Sequence, residues 1–194
     1  MRQITPNCAA VVPTTCSAAA KPVNSPSSGV SPRLTFPWLA LAGFVVLLDQ
    51  ATKSWVLAIF HHGESLVVTS FFNLTLLFNT GASFSFLADA GGWQRWFFIV
   101  LALAISVWLV ALLRQHAGQR AMAAALALIL GGAVGNVIDR IRIGAVTDFL
   151  HFHWNEHYFP AFNVADSCIT VGVILMIWYE LFGKGGSHDR KSEG

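Results

Sequence analysis

Four long apolar stretches constrain this chain more than any other feature. Crossing the hydrocarbon core of a bilayer takes about 20 mostly apolar residues. Residues 37–59, 95–114, 121–138 and 161–182 each approach that length. Asp49 and Lys53 interrupt the first. The second is an uncharged run between Arg95 and Arg114. The third is rich in Ala and Gly, and the fourth carries Asp166 in its first turns. Composition excludes a water-soluble fold. The chain is 55% hydrophobic and 11% charged, with a mean hydropathy of +0.58, whereas soluble domains average about 25% charged residues. The fold class expected is an all-α membrane protein: four transmembrane helices with a small extracytoplasmic β-sheet and an outer loop.

The flanks read differently. Residues 1–36 are rich in Pro, Ser, Thr and Ala, with no sustained period, and read as a disordered leader. They lack the apolar core of a cleavable signal peptide. Residues 37–183 form the membrane domain, and 184–194 a cytoplasmic tail. Cys8, Cys16 and Cys168 give an odd count and no disulfide framework. Cys168, inside an apolar run, reads as a buried packing residue.

Lys and Arg counts set the orientation. With four spans, Arg2, Lys21, Arg33, Arg114, Arg120, Lys184, Arg190 and Lys191 share one side. Arg95, Arg140 and Arg142 lie on the other. Eight against three puts both termini in the cytoplasm. Residues 61–92 and 140–160 then face outward. Residues 66–72 and 73–78 are rich in β-branched and aromatic side chains and read as short strands, with a third at 82–87. Asn79-Thr80-Gly81 is a turn signal. A net charge of +2, with the basic residues scattered over short segments, argues against a nucleic-acid partner.

Acids in or beside membrane helices are costly and face a protein interior or a wet cavity. Here they are Asp49, Asp139, Asp148 and Asp166. Asp49 and Lys53 are spaced i, i+4 and read as a structural ion pair rather than as catalytic groups. Asn136 and Asp139 share a face near the end of the third helix. Asp139 there reads as a polar clamp on Arg140 or on an outer loop. Alone, Asp148 would be a solvated loop residue, and Asp166 would be explained by its helix N-terminus. Together they are more informative, because residues 150–160 can fold back and join them. Two carboxylates in a partly dry site cannot both ionise at low cost. One then takes a proton from water while the other polarises a carbonyl. This is aspartic-protease chemistry, with no metal and no cofactor. His151, His153, His157 and Glu156 offer a competing metal reading, but they complete no zinc motif.

The residues also resemble a known family, lipoprotein signal peptidase or signal peptidase II. The resemblance rests on five blocks in order. These are Asp49-Gln50-Ala51-Thr52-Lys53, Phe78 to Phe84, Gly131 to Arg140, Val146-Thr147-Asp148-Phe149, and Phe159 to Asp166. It implies a four-helix aspartic endopeptidase of the bacterial plasma (inner) membrane, working at the outer face. The substrates implied are diacylglyceryl-modified prolipoproteins, cut before the lipidated cysteine. Asp148 and Asp166 fall on the catalytic positions. Asn79, Gly81, Asn136, Arg140, Asn163 and Ala165 fall on positions that line the site. Asp139 matches a position sensitive to change, and Asp49 one near the first helix's functional face. The chain is expected to act as a monomer among membrane lipid. A leader of about 36 residues is longer than the family usually has. Two other classes compete: a small four-helix transporter working through Asp49, and a non-catalytic assembly factor.

Overall fold

The computed structural model describes residues 32–81 and 91–183. The expected strand at 82–87, and nearly all of the leader and tail, lie outside these residues. Among the described residues four helices are long and apolar enough to cross a membrane. They are α1 (Pro32–Ile59), α2 (Trp93–His116), α3 (Arg120–Ile143) and α4 (Val164–Trp178), the last extended by a π-helical turn, Tyr179–Gly183. In lipid every backbone polar group needs an internal partner, and an uninterrupted helix supplies one. α1 begins at Pro32, ahead of the Pro37 start expected from hydropathy. Proline is well suited to a first helical position, where its missing N–H has no helical acceptor to lose. α3 runs past the expected end at Ile138 and carries Asp139, Arg140 and Arg142 in its last turns.

α3 is the central helix and packs against each of the other three. Without a hydrophobic force between helices in lipid, small residues that let backbones approach decide the contact. Gly132 meets the Ala165 carbonyl of α4, and a Cβ there would collide with it. A Cβ at Gly135 would lie 2.6 Å from the Asp49 carboxylate of α1. The apolar cluster of Leu113, Leu126, Ala127 and Leu130 fills the other half of this seam. There the Trp38 indole N–H donates to the Ala117 carbonyl at 3.0 Å and ties α1 to the turn between α2 and α3. Outward-facing side chains such as Leu47 and Val107 stay exposed and apolar, as a lipid-facing surface requires.

A four-stranded antiparallel sheet sits at the opposite end. Its strands are β1 (Ser65–Thr69), β2 (Phe72–Asn79), β3 (Val146–Trp154) and β4 (His157–Tyr158), in that order across the sheet. β1 and β2 fall where sequence placed strands. β3 and β4 do not, because residues 140–160 read as an outer segment of which 150–160 folds back. Val146 to Phe149 are all buried, so the polar–apolar alternation that marks a strand is missing. Gly144 makes β3 possible. Its φ of 84° ends α3, with its N–H on the Arg140 carbonyl at 3.2 Å, and turns the chain outward. An irregularity in β2 between Leu74 and Leu77 sets Leu77 opposite Asp148 and Asn79 opposite Val146. The strands thus hold Asp148 directly over the ends of α3 and α4.

Candidate active site

Asp166 is set by the start of α4. Asn163 caps that helix: its side-chain oxygen accepts the Asp166 N–H at 3.0 Å. In return the Asn163 N–H donates to the Asp166 carboxylate at 3.4 Å. This is a capping box. It leaves the Asn163 amide nitrogen free to turn toward β3, where it donates to Asp148 Oδ1 at 2.7 Å. One buried asparagine therefore bridges both carboxylates. The sequence reading that Asp148 and Asp166 come together holds in the geometry. Asp148 sits on a strand and not in a loop.

Two more amides complete the frame. Asn136 of α3 donates to Asp166 Oδ1 at 2.8 Å. Asn79, at the end of β2, donates to Asp148 Oδ2 at 3.3 Å. The Asn79 oxygen is occupied by the Gly81 N–H at 3.1 Å, which fixes which end of the amide faces Asp148. Arg140 donates to the Gly81 carbonyl at 3.0 Å, lies over the Phe98 ring, and faces both aspartates. Its Nε is buried without a partner among the described residues. Each aspartate thus accepts two donors and lies within reach of a cation.

Burial pushes the Asp148 carboxyl up to about 7. The Asp166 charge pushes it the same way, while the Asn163 and Asn79 hydrogen bonds and the Lys53 charge oppose. A carboxyl held near neutrality beside a second carboxylate is what acid–base work at cellular pH requires.

Beneath the pair lies a buried ionic cluster. Lys53 is 1% exposed. Its ammonium contacts Asp49 Oδ2 at 2.9 Å and Asp139 Oδ2 at 3.1 Å, and donates to Asn136 Oδ1 at 2.9 Å. The expected Asp49–Lys53 pair is present, with Asp139 as a second carboxylate. Asp139 also accepts the Thr147 N–H at 2.9 Å, so it clamps the start of β3. The expected clamp on an outer segment is therefore found, and Asp139 forms no ion pair with Arg140 among the described residues. The other Asp49 oxygen accepts the Ala165 N–H at 2.9 Å. Gln50 donates to Asp49, to Asp139 and to the Gly135 carbonyl.

Sequence reasoning missed the wider roles of Lys53 and Gln50. An ammonium has three donors, so one acid at i, i+4 could not satisfy a buried lysine. That deficit was the available signal. His151 and His153 instead flank the Tyr158 ring, with centroids 5.1 and 5.0 Å away. Among the described residues no group of His, Cys, Asp and Glu could hold a metal. A cavity of about 790 Å³ on the sheet, lined by Phe71, Phe152, Trp154 and Tyr158 among others, contains neither aspartate.

The family described as Signal peptidase (SPase) II matches residues 41–182. The chain is 57% identical over 152 residues to a lipoprotein signal peptidase of Azoarcus sp. (strain BH72), covering 78% of this chain and 85% of that one. It is 52% identical over 167 residues to the lipoprotein signal peptidase of Cupriavidus taiwanensis, covering 86% and 95%. A bacterial membrane enzyme solved by the in meso method at 2.3 Å is similar in fold, with a TM-score of 0.71 and 34% identity. The match covers 80% of this chain and 94% of that one.

Proposed function

This chain belongs to the signal peptidase II family, and from that premise we propose that Asp148 and Asp166 are the catalytic pair with which it cleaves its substrates. The protein is a bacterial membrane aspartic peptidase that removes signal peptides from prolipoproteins. The observation that carries the assignment is the Asn163 bridge. A single buried asparagine holds both carboxylates, that of Asp148 through its side-chain amide and that of Asp166 through its backbone N–H, and the Asp148 carboxyl is poised near neutrality.

The pair shares one proton. The ionised carboxylate takes a proton from a water between the two. The resulting hydroxide equivalent attacks the scissile carbonyl carbon. The protonated carboxyl donates to the carbonyl oxygen and gives a neutral tetrahedral intermediate. Collapse of that intermediate breaks the C–N bond, and a proton passes to the departing amine. Asn79, Gly81, Asn136, Arg140 and Asn163 frame the reacting atoms, Asp139 and Asp49 support that frame, and Ala165 allows the close approach of α3. The fit with a diacylglyceryl-modified cysteine comes from position. The pair lies where four helix ends meet the sheet, which is the lipid boundary for helices that span the bilayer. The chain works as a monomer with both termini in the cytoplasm and the pair at the outer face, which the basic-residue count supports.

The test is cleavage of a purified diacylglyceryl-modified precursor, compared with its unmodified form. The intact enzyme should process only the modified form. Asp148→Asn and Asp166→Asn should each stop processing while the protein accumulates normally. Processing retained by either variant would sink the assignment.

A further inference from the structure

Lys53 is the largest fully buried side chain among the described residues, and an ion pair alone does not account for its location. Its ammonium has three hydrogens, and two carboxylates and one amide oxygen receive them. The amide belongs to Asn136, which also touches Asp166. An asparagine side chain can lie in either of two flipped orientations, offering oxygen or NH2 to a given neighbour. A lysine can only donate. Asn163 Nδ2 donates to the same Asn136 oxygen at 3.3 Å. Two donors on one atom leave a single consistent orientation, with the Asn136 NH2 facing Asp166 Oδ1 at 2.8 Å.

We propose that Lys53 is a positioning residue that locks the Asn136 amide so that it donates to Asp166, which keeps Asp166 the charged, proton-accepting member of the pair. This rests on the catalytic assignment above and adds the origin of the asymmetry between the two acids. The flipped amide would set its oxygen against the Asp166 carboxylate and favour a proton there. The base would then be lost. The other charged groups facing Asp166 are Asp148 from β3, Arg140 from α3 and Asp49 from α1, with Asp139 of α3 on the far side of Lys53. Lys53 is the group that reaches the Asp166 carboxylate through the Asn136 amide.

Removing Lys53 alone would strand two buried acids, so the test removes one acid with it. Asp49→Asn with Lys53→Met keeps the net charge of the native cluster and removes the donor to Asn136 together with the ion pair to Asp139. Asp49→Asn alone is the reference. Kinetics on the diacylglyceryl-modified precursor should show kcat lower by about tenfold or more with KM little changed, since the lost contact serves the chemical step. The acidic limb of the pH–rate profile should move to higher pH. Asp49→Asn with Lys53→Gln restores an uncharged donor and should return the limb toward the reference. A folded Met variant with the reference kcat and limb overturns the proposal. So does a loss of activity that tracks loss of folded protein while the pH profile stays in place. If the Met variant does not accumulate, Asp139→Asn with Lys53→Met is read the same way. Failure of both to fold assigns Lys53 to the fold alone and also overturns the proposal. Processing retained by Asp148→Asn or Asp166→Asn would instead overturn the catalytic assignment, so the two failures are distinguishable.

Discussion

The seam joining α1, α3 and α4 and the sheet above it bury opposite kinds of side chain. Within the seam lie Asp49, Lys53, Asn136, Asp139 and Asn163, all buried and all partnered. On the sheet, β1 is exposed along its whole length. Val67 is 70% exposed and Trp154 77%. A soluble enzyme would place these groups the other way round. In a membrane the seam is the dry place where an amide or a charge acts at full strength, because water neither competes nor screens. The sheet lies beyond the ends of the four spans, at the level where headgroups would be, and apolar and amphipathic side chains are at home there. Burial here marks chemistry, and exposure marks contact with lipid.

Breaking the acid pair, where β3 meets the seam, should cost most. Asp148→Asn or Asp166→Asn should lower the cleavage rate by about 10³-fold or more, on the order of 4 kcal/mol of barrier, read by precursor processing at matched enzyme level. Packing comes next. Gly135→Ala drives a methyl group against Asp49, and overpacking of this kind costs about 1–3 kcal/mol. Thermal unfolding in detergent should show the loss, with cleavage falling alongside it.

A pH series sharpens the comparison without mutation. The Asp148 carboxyl is raised from 3.8 to about 7. The folded protein therefore holds this proton more tightly than the unfolded chain does. That stabilisation is complete below the unfolded value and is lost as pH rises through about 7. Cleavage should fall over the same window as the pair loses its remaining proton. Rate and melting temperature measured from about pH 5 to about pH 9 check both, and Asp148→Asn should remove the fall in stability.

The exposed outer part of the sheet should prove least sensitive. Trp154→Cys should change stability by less than about 0.5 kcal/mol and leave cleavage intact. Its thiol should react with a membrane-impermeant maleimide added outside intact cells, above the level seen for the unsubstituted chain. Labelling only after lysis would overturn the orientation.

Much of the seam was legible in the sequence, because the bilayer leaves so few options for an acid. Asp49 and Lys53 declared themselves by their spacing, and the glycines at 131, 132 and 135 announced close helix contact. The sheet was half legible. β1 and β2 carry β-branched and aromatic runs, whereas β3 opens with four consecutive buried residues that include Thr147 and Asp148. No periodicity separates such a stretch from a loop. The amide orientations were not legible at all. Each depends on donors brought from other elements, as Asn136 depends on Lys53 across a helix interface. The residue that ties the site together, Asn163, looked like one more member of a motif until the cap geometry was in view.

That cap has a consequence for how the protein comes into being. The atoms that start α4 are the atoms that hold the two acids together. A newly inserted chain whose last helix has not yet docked has neither a finished helix start nor a matched pair of carboxylates. On the proposed assignment, proteolytic competence requires a docked α4, and a copy in which α4 is not docked cannot cut its neighbours.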